Sequence, residues 1–340
     1  MANDVIRRVV QEELSILAPF LDDPKNTEIV VNKPGQVITE TREGWHIHDV
    51  PELSLNRCAS IAKAIAGHSK QALDTRNPIM SATLPAGHRI QIVQPPAVMD
   101  GFFSMTMRKP SLVNFTMDSY EEQGFFDEVA DHSSEIDDVE RELLSLRQNR
   151  DFKTFFQLAV QSRKNIIVSG ATGAGKTAFM KALVDMVSTD ERLISIENVD
   201  ELKLYNSHPN AVPLFYSAGK QGIADITQQQ LLETSLRMKP DRIFVAELIR
   251  GDEAFYYLRN VNSGHPGSIT SMHANSAALA IEQLVLFLKE SASGSTLSRE
   301  DIKQLIFLCV DIIVQIKNVR GKRVMTEIYY DPEFKRKQMA

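Results

Sequence analysis

Apolar residues recur at two different spacings in the first third of the chain. Over residues 4–21 they return every three or four positions, which is the spacing of an amphipathic helix. Strand-like runs follow at 27–31 and 36–40, and the four residues between them, 32–35, are typical of a tight turn. A further helix is predicted at 53–66, and further strands at 89–93 and 103–108. These elements predict a small α+β domain with an antiparallel sheet at residues 1–125.

From residue 151 onward, helical and strand-like patterns alternate. The predicted helices are 151–163, 176–188, 227–238 and 252–262, and the predicted strands are 165–169, 192–196, 242–246 and 268–272. Alternation of this kind implies parallel βαβ units, in which helices cover both faces of a sheet. A chain of 340 residues is also too long for one core of ordinary size. We therefore predict a second, α/β domain at residues 151–340.

The stretch between the two predicted domains is acidic. Residues 126–150 contain eight Asp or Glu residues, most of them before a helical pattern resumes. Like charges in a run repel each other and favour a solvated, extended segment. We interpret 126–150 as an acidic interdomain linker that leads into a helix.

Composition is that of a soluble globular protein, with 43% apolar and 24% charged residues and a net charge of -6. Because the chain lacks a basic stripe, direct sequence-specific contact with nucleic acid is not expected, and we interpret the basic cluster 335–337 as a solvated tail. Cys58 and Cys309 have no metal-ligand spacing, which predicts free thiols in a reducing compartment. The sequence has neither a signal-like start nor an apolar run of membrane length. We expect a cytoplasmic protein with peripheral membrane contact.

A phosphate-binding loop follows the predicted strand 165–169. It matches the complete pattern GxxxxGK[ST], and its residues are Gly170, Ala171, Thr172, Gly173, Ala174, Gly175, Lys176 and Thr177, with Ala178 opening the next helix. The glycines let backbone N–H groups converge on phosphate oxygens, and the helix N-terminus adds positive potential. Lys176 is expected to reach the β- and γ-phosphates of ATP, and the Thr177 hydroxyl is expected to bind Mg²⁺. This setting favours a RecA-like P-loop domain over a structural glycine turn.

Three further predicted strands carry polar residues near their ends, where doubly wound sheets hold ligands. One leads to Glu197 and Glu201, and either carboxylate could orient a water for attack on the γ-phosphate. The alternative for this pair is a polar loop that caps the next element. A second strand ends in Glu247, an acid placed to serve Mg²⁺ or its water shell. A third lies between His265 and His273, and an imidazole can donate a hydrogen bond to a phosphate oxygen.

Segments of both predicted domains resemble a known family. The phosphate loop, 196–202, 236–242 and 264–274 resemble the Walker A, Asp-box, Walker B and His-box of the secretion-ATPase superfamily. In the first domain, 27–35, 84–93 and 107–111 resemble VirB11-type traffic ATPases of bacterial type IV secretion and conjugation. The resemblance implies a homohexameric ring at the cytoplasmic face of the inner membrane. It also implies partners among the other ATPases and inner-membrane components of a secretion channel.

The resemblance gives roles to residues in both domains: Lys176 and Thr177 in Walker A, Glu247 as the Walker B acid, Glu201 as the catalytic glutamate of the Asp-box, and His273 in the His-box. Arg89 and Arg108 match N-terminal arginines that reach the nucleotide phosphates in this family; taken alone, they are ordinary strand-surface arginines. Asn198 stands where the Asp-box often has an acid. The segment 247–250 has one residue more than the family usually has after its Walker B acid, which leaves the role of Arg250 open.

Two other functions stay open at this stage. A motor of type II secretion or of type IV pili belongs to the same superfamily, although the type II motor usually carries a four-cysteine module that two single cysteines cannot supply. A nucleic-acid motor or a nucleotide-gated scaffold would be of a different class. The negative net charge disfavours the nucleic-acid motor.

Overall fold

The structure, a computed structural model, describes residues 2–110, 116–129, 135–217, 219 and 222–339. Ser111 of the arginine-containing segment 107–111 and residues 130–134 of the predicted linker lie outside the described residues. Within the ranges that are described, no helix combines the length and the apolar character needed to cross a membrane.

The elements follow one another in the order of the chain. The helices are α1 (Ala2–Glu13), α2 (Ala18–Asp22), α3 (Leu55–Ser69), α4 (Met117–Glu122), α5 (Asp138–Gln148), α6 (Phe152–Gln161), α7 (Lys176–Val184), α8 (Gln228–Ser235), α9 (Gly251–Val261), α10 (Ala277–Glu290), α11 (Arg299–Cys309) and α12 (Pro332–Met339). The strands are β1 (Glu28–Val31), β2 (Gln36–Thr41), β3 (Gly44–Asp49), β4 (Ile79–Thr83), β5 (Arg89–Val93), β6 (Ser104–Arg108), β7 (Ile166–Gly170), β8 (Leu193–Glu197), β9 (Ala211–Phe215), β10 (Arg242–Leu248), β11 (Ile269–Met272), β12 (Ile312–Val319) and β13 (Lys322–Tyr330).

The N-terminal sheet is antiparallel, with the strand order β3-β2-β1-β6-β5-β4 in the described residues. Its apolar face packs on α1 and α3 to form a separate core. The helix predicted at 4–21 is interrupted, because a 3-10 turn at Leu14–Leu17 separates α1 from α2. Pro19 lacks the N–H that an α-helix needs at this position. Its ring would also clash with the carbonyl four residues earlier if the α-helix continued.

The C-terminal sheet has the order β13-β12-β7-β11-β10-β8-β9 in the described residues, and all neighbours pair in parallel except β12 and β13. Successive strand residues enter opposite cores: Ile166 and Val168 face one, and Ile167 faces the other. Because both faces are buried, these strands are continuous apolar runs. The α/β fold with a RecA-like second domain, predicted from the alternating pattern, is confirmed.

Part of the predicted linker packs against the C-terminal sheet. Helix α5 begins with a capping box made by Asp137 and Glu140, and Leu143 is fully buried in the C-terminal core. Glu140 also forms ion pairs with Lys164 and with Arg336 of α12. The interpretation of the C-terminal basic cluster as solvated is therefore wrong for Arg336, and also for Lys335, which pairs with Asp311 at 2.6 Å. The domain limits at 126 and 150 stay predictions.

A buried guanidinium joins the two sheets. Arg192, directly before β8, has no exposed surface. Its Nη1 donates to Asn32 Oδ1 at 2.9 Å and its Nη2 to Thr106 Oγ1 at 3.2 Å, both in the N-terminal sheet unit. Its Nε donates to the Met238 carbonyl at 2.8 Å. Burial lowers the pKa of Arg192 to about 10, so the group stays charged at neutral pH and needs each of these partners.

Further contacts surround this arginine at the same interface. Asp241 accepts from the Arg192 backbone N–H at 2.7 Å and from Trp45 Nε1 at 3.3 Å. Lys239 and Glu40 form an ion pair across the interface at 2.8 Å. Asp241, which lies before β10, therefore takes part in the contact between the two sheets. The N-terminal sheet lies against the amino edge of the C-terminal sheet.

The same interface buries a carboxyl group without a full set of partners. Glu28 of β1 is 3% exposed, and its Oε1 lies 3.6 Å from Arg108 Nε. Its Oε2 has no hydrogen-bond partner in the described residues. Burial, the largest cause, raises the pKa of Glu28 to about 7.

This raised pKa predicts a pH-dependent stability. Between pH 4.5 and about 7, Glu28 holds its proton in the folded chain and loses it in the unfolded chain. The folded state then binds more protons, so the free energy of unfolding falls as the pH rises through this window. Glu28→Gln should be more stable than the parent chain by about 1–3 kcal/mol above pH 7, and the difference should vanish near pH 4.5.

Thermal unfolding at a series of pH values measures this effect. Glu52→Gln, a change at an exposed glutamate, is the matched control and should leave the pH profile unchanged. A constant difference between the Glu28 variant and the parent chain at every pH would contradict the prediction.

Candidate functional site

The carboxyl ends of four neighbouring strands meet at one edge of the C-terminal sheet. In the order β7-β11-β10-β8, the first ends at Gly170, the second is followed by His273, the third contains Glu247 near its end, and the last ends at Glu197. Parallel strands place their carboxyl ends on the same side. Residues that are up to about a hundred positions apart in sequence are thereby brought to a single edge.

The phosphate loop leaves β7 at this edge and enters α7 at Lys176. Gly173 and Gly175 have φ angles of +75° and +96°, a backbone conformation that residues with a Cβ rarely adopt. Gly170 is required for a different reason, because a Cβ there would lie 2.6 Å from the Ile316 carbonyl oxygen. Thr177 is half-buried and Ala178 is exposed, both in the first turn of α7.

Three predicted site residues form one hydrogen-bonded cluster beside the loop. Lys176 Nζ lies 3.2 Å from the Gly170 carbonyl oxygen, 3.2 Å from His273 Nδ1 and 3.5 Å from Glu247 Oε1. His273 Nε2 lies 2.9 Å from the same Glu247 oxygen. Since the ammonium only donates, these distances fit an imidazole that donates from Nε2 to Glu247 and accepts at Nδ1 from Lys176.

Glu247 projects from an irregular point of its strand. Between the pairs Val245–Thr270 and Leu248–Met272, β10 has one residue more than β11, which is a β-bulge. The Ser271 hydroxyl donates to the Ala246 carbonyl at 2.6 Å and fixes the bulge. Bulges turn a side chain away from the regular alternation and are common beside active sites. Glu247 lies within this bulge, and its side chain lies beside the phosphate loop.

The two candidate glutamates after β8 have different surroundings. Glu197 is fully buried and accepts from the Ser195 hydroxyl at 2.6 Å and from the backbone N–H groups of Glu201 and Leu202, each at 3.0 Å. Burial raises the pKa of Glu197, and these hydrogen bonds partly oppose the shift. Glu201 is exposed on the loop that Glu197 holds. The structure therefore separates a loop-fixing carboxylate from a solvent-facing one.

Two positions that the family resemblance left open are also exposed at this edge. Asn198 directly follows β8, next to the buried Glu197. Arg250 precedes α9, and its backbone N–H donates to Glu253 Oε2 at 3.0 Å, which caps the helix. Its side chain stays exposed.

Arg89, Arg108 and His265 lie away from this cluster within one chain. Arg89 and Arg108 are paired on β5 and β6, and with His265 they line a cavity of about 640 Å³ between the two sheets. Arg237 and Lys239, before β10, line the same cavity. It therefore opens at the amino edge of the C-terminal sheet, and strands of four to seven residues separate the two edges by roughly 13–23 Å. Of the two histidines that flank β11, only His273 is at the phosphate loop.

A basic residue outside the sequence motifs also touches the loop. Arg323 of β13 is in contact with Gly175, since a Cβ on that glycine would lie 2.8 Å from Arg323 Cδ. In the sequence, Arg323 belongs to a run of basic residues between two strand-like segments: Lys317, Arg320, Lys322 and Arg323. No pattern in the sequence indicates that the run returns to the phosphate loop.

The chain matches the family model described as type II/IV secretion system protein over residues 10–315. The type IV secretion system protein VirB11 of Bartonella henselae is 45% identical over 335 residues, which cover 95% of this chain and 93% of that protein. VirB11 of Brucella suis is 43% identical over 333 residues, with 96% and 91% covered.

A solved structure resembles the chain over its whole length. The crystal structure of the VirB11 ATPase from the Brucella suis type IV secretion system, in complex with sulphate, superposes with a TM-score of 0.93. It is 41% identical in sequence and covers 99% of each chain. The resemblance inferred from the sequence motifs is confirmed, and the chain belongs to the type II/IV secretion system protein family.

Proposed function

We propose that this chain is a Mg²⁺-dependent ATPase that powers substrate transfer or pilus assembly by a type IV secretion system. The observation that carries the proposal is the cluster of Lys176, Glu247 and His273 at the mouth of a complete phosphate loop. The relatives at 43–45% identity are type IV secretion proteins, and the similar solved structure is that of a secretion ATPase. These similarities favour this function over a pilus or type II motor.

The loop residues fit a bound nucleoside triphosphate. The positive φ angles of Gly173 and Gly175 turn the backbone of the loop ahead of α7, whose N-terminus favours anions. Lys176, which is 8% exposed, can exchange its loop and side-chain partners for β- and γ-phosphate oxygens.

The donor set also fits Mg²⁺. This ion takes one or two protein oxygens together with substrate phosphates and water, and Thr177 and Glu247 supply a hydroxyl and a carboxylate. When bound, the ion would neutralise charge on the phosphates.

Hydrolysis requires a water directed at the γ-phosphorus. Glu201, exposed on the loop after β8, is the carboxylate free to orient that water, because both oxygens of Glu197 are engaged. As the water oxygen bonds to phosphorus, the bond to the β–γ bridging oxygen breaks and ADP leaves. His273 carries its N–H on Nε2, so it would donate to a γ-phosphate oxygen when Glu247, which accepts that hydrogen bond here, turns to Mg²⁺.

Arg89 and Arg108 then act on the nucleotide of a second copy. In one chain they line a cavity at the amino edge of the C-terminal sheet, away from Lys176. Arg237 and Lys239 lie on the other wall of the cavity, so its cations outnumber its one lining carboxyl group, Glu28, and it can receive phosphates presented by a neighbour. A closed ring repeats this contact at every interface. The proposed assembly is a homohexamer, peripheral to the cytoplasmic face of the inner membrane, that works with other channel components.

The second prediction tests the reaction. The purified chain should release phosphate from ATP slowly in the presence of Mg²⁺, and Lys176→Ala should abolish release because it removes a charge preorganised for the transferring phosphoryl group. Lys181→Ala, on the same helix but outside the loop, is the control and should keep the parent rate. Undiminished phosphate release by the Lys176 variant would contradict the proposal.

The third prediction separates the roles of the two glutamates after β8. Glu201→Gln should keep ATP affinity and thermal stability, because the side chain is exposed, yet lose turnover by about 10²–10⁴-fold. Glu197→Gln should lower the free energy of unfolding by about 1–3 kcal/mol, because a buried group that accepts three hydrogen bonds is altered. Calorimetry and steady-state rates on both variants distinguish the roles. Parent-like turnover by Glu201→Gln would assign the water to another group.

The fourth prediction tests whether one copy supplies an arginine to the nucleotide of another copy. Arg108→Ala should lower turnover by about 10³-fold, as for other arginines that act across an interface. When Arg108→Ala and Lys176→Ala chains are co-expressed, loops of the first can meet arginines of the second. Random mixing in a ring should restore about one quarter of the parent rate, since each copy supplies a loop to one site and an arginine to the next.

The control for this experiment is a co-purification with two different affinity tags, which establishes that mixed oligomers form. If mixed oligomers form and turnover stays at the level of the separate variants, Arg108 does not act on the loop of another copy.

A further inference from the structure

The hairpin of β12 and β13 extends past the phosphate loop. Strand β12 pairs in parallel with β7 from Ile312–Ile166 to Ile316–Gly170, where β7 ends. The remaining residues of β12, up to Val319, continue beyond this end and pair only with β13. The tip of the hairpin therefore projects on the side of the sheet from which the loop emerges.

The projecting tip is strongly basic. Its cations are Lys317, Arg320, Lys322 and Arg323, and all four are exposed. In a chain with a net charge of -6, four cations in seven residues form a local positive patch.

Arg323 is the member of this patch that contacts the loop. The three atoms nearest to a Cβ placed on Gly175 all belong to Arg323: Cδ at 2.8 Å, Nε at 3.3 Å and Cγ at 3.7 Å. The aliphatic stem thus lies in the space that the missing side chain of Gly175 leaves open. The guanidinium is carried to the residue that immediately precedes Lys176.

Within the described ranges, no hydrogen bond or ion pair connects the Arg323 side chain to another residue, while its backbone pairs with Asn318 of β12. The position of the guanidinium is therefore not explained by a protein partner. The N-terminus of α7, which begins at the next residue, adds positive potential at this end of the loop. A guanidinium without a protein partner beside a helix N-terminus provides a favourable position for an anion.

We propose that Arg323 is a nucleotide-binding residue that contacts the phosphates of the nucleotide held on the loop of its own chain. The inference rests on the proposed function, because it requires nucleotide at the loop. It adds a cation from the hairpin to the one supplied by Lys176. The chemistry required is that of a charge-assisted hydrogen bond between a guanidinium and a phosphate oxygen.

Binding of Mg·ADP and Mg·ATP to the full chain, measured by isothermal titration calorimetry, tests the proposal. Arg323→Met keeps an apolar stem on Gly175 and removes the charge, so its Kd should rise about tenfold. Arg323→Lys keeps the charge, which can still bind a phosphate oxygen as a point charge, and should stay within about threefold of the parent. Arg320→Met removes a cation from the same hairpin away from Gly175 and should bind like the parent.

The possible outcomes separate the alternatives. Parent-like affinity of Arg323→Met would show that the side chain only covers Gly175, and an equal loss in Arg320→Met would show a diffuse charge effect; either result overturns the proposal. A loss for ADP but not for GDP would indicate a base contact, which also overturns it. Failure of the parent chain to bind, or parent-like binding by Lys176→Ala, would instead contradict the proposed function.

Discussion

The burial of the Arg192 guanidinium is the constraint on which the arrangement of the two sheets depends. A charge with no exposed surface requires hydrogen-bond acceptors on every side, and here they come from both sheets. If one sheet slid or tilted against the other, the buried charge would lose hydrogen-bond acceptors. The two sheets are therefore held in one relative position. This relative position places the cavity that contains Arg89 and Arg108 at the edge of the C-terminal sheet opposite the phosphate loop.

The phosphate loop shows the opposite electrostatic situation. Lys176 is held by loop carbonyls and by the pair of Glu247 and His273, all of which can give it up in exchange for phosphate oxygens. Partners of Arg192 are structural and cannot be exchanged without separating the domains. The same chain therefore uses one buried cation to fix its geometry and another, at a strand end, for recognition.

The sequence predicted those features that depend on local pattern. The loop from Gly170 to Thr177, the parallel alternation and the placement of Glu247 and His273 follow from short motifs and from the rule that parallel strands end at one edge. The contact of Arg192 with Asn32 joins residues 160 positions apart. No spacing of residues along the sequence indicates such a contact. The sequence alone therefore does not predict that Arg89 lies at the edge opposite the phosphate loop. The burial of Glu197, and so its role in holding the loop of Glu201, depends on the same tertiary context.

The packing of α5 against the C-terminal core sets the length of the tether between the domains. With Asp137 anchored as the cap of α5, the chain from Pro110 to that residue has roughly 27 residue steps and spans at most about 90 Å. A tether of this kind keeps the N-terminal sheet at an effective concentration on the order of millimolar near its own C-terminal sheet. Exchange of N-terminal units between molecules is then opposed by mass action, even where the contacts are identical. The fixed helix thus favours the arrangement in which the N-terminal sheet contacts the C-terminal sheet of its own chain.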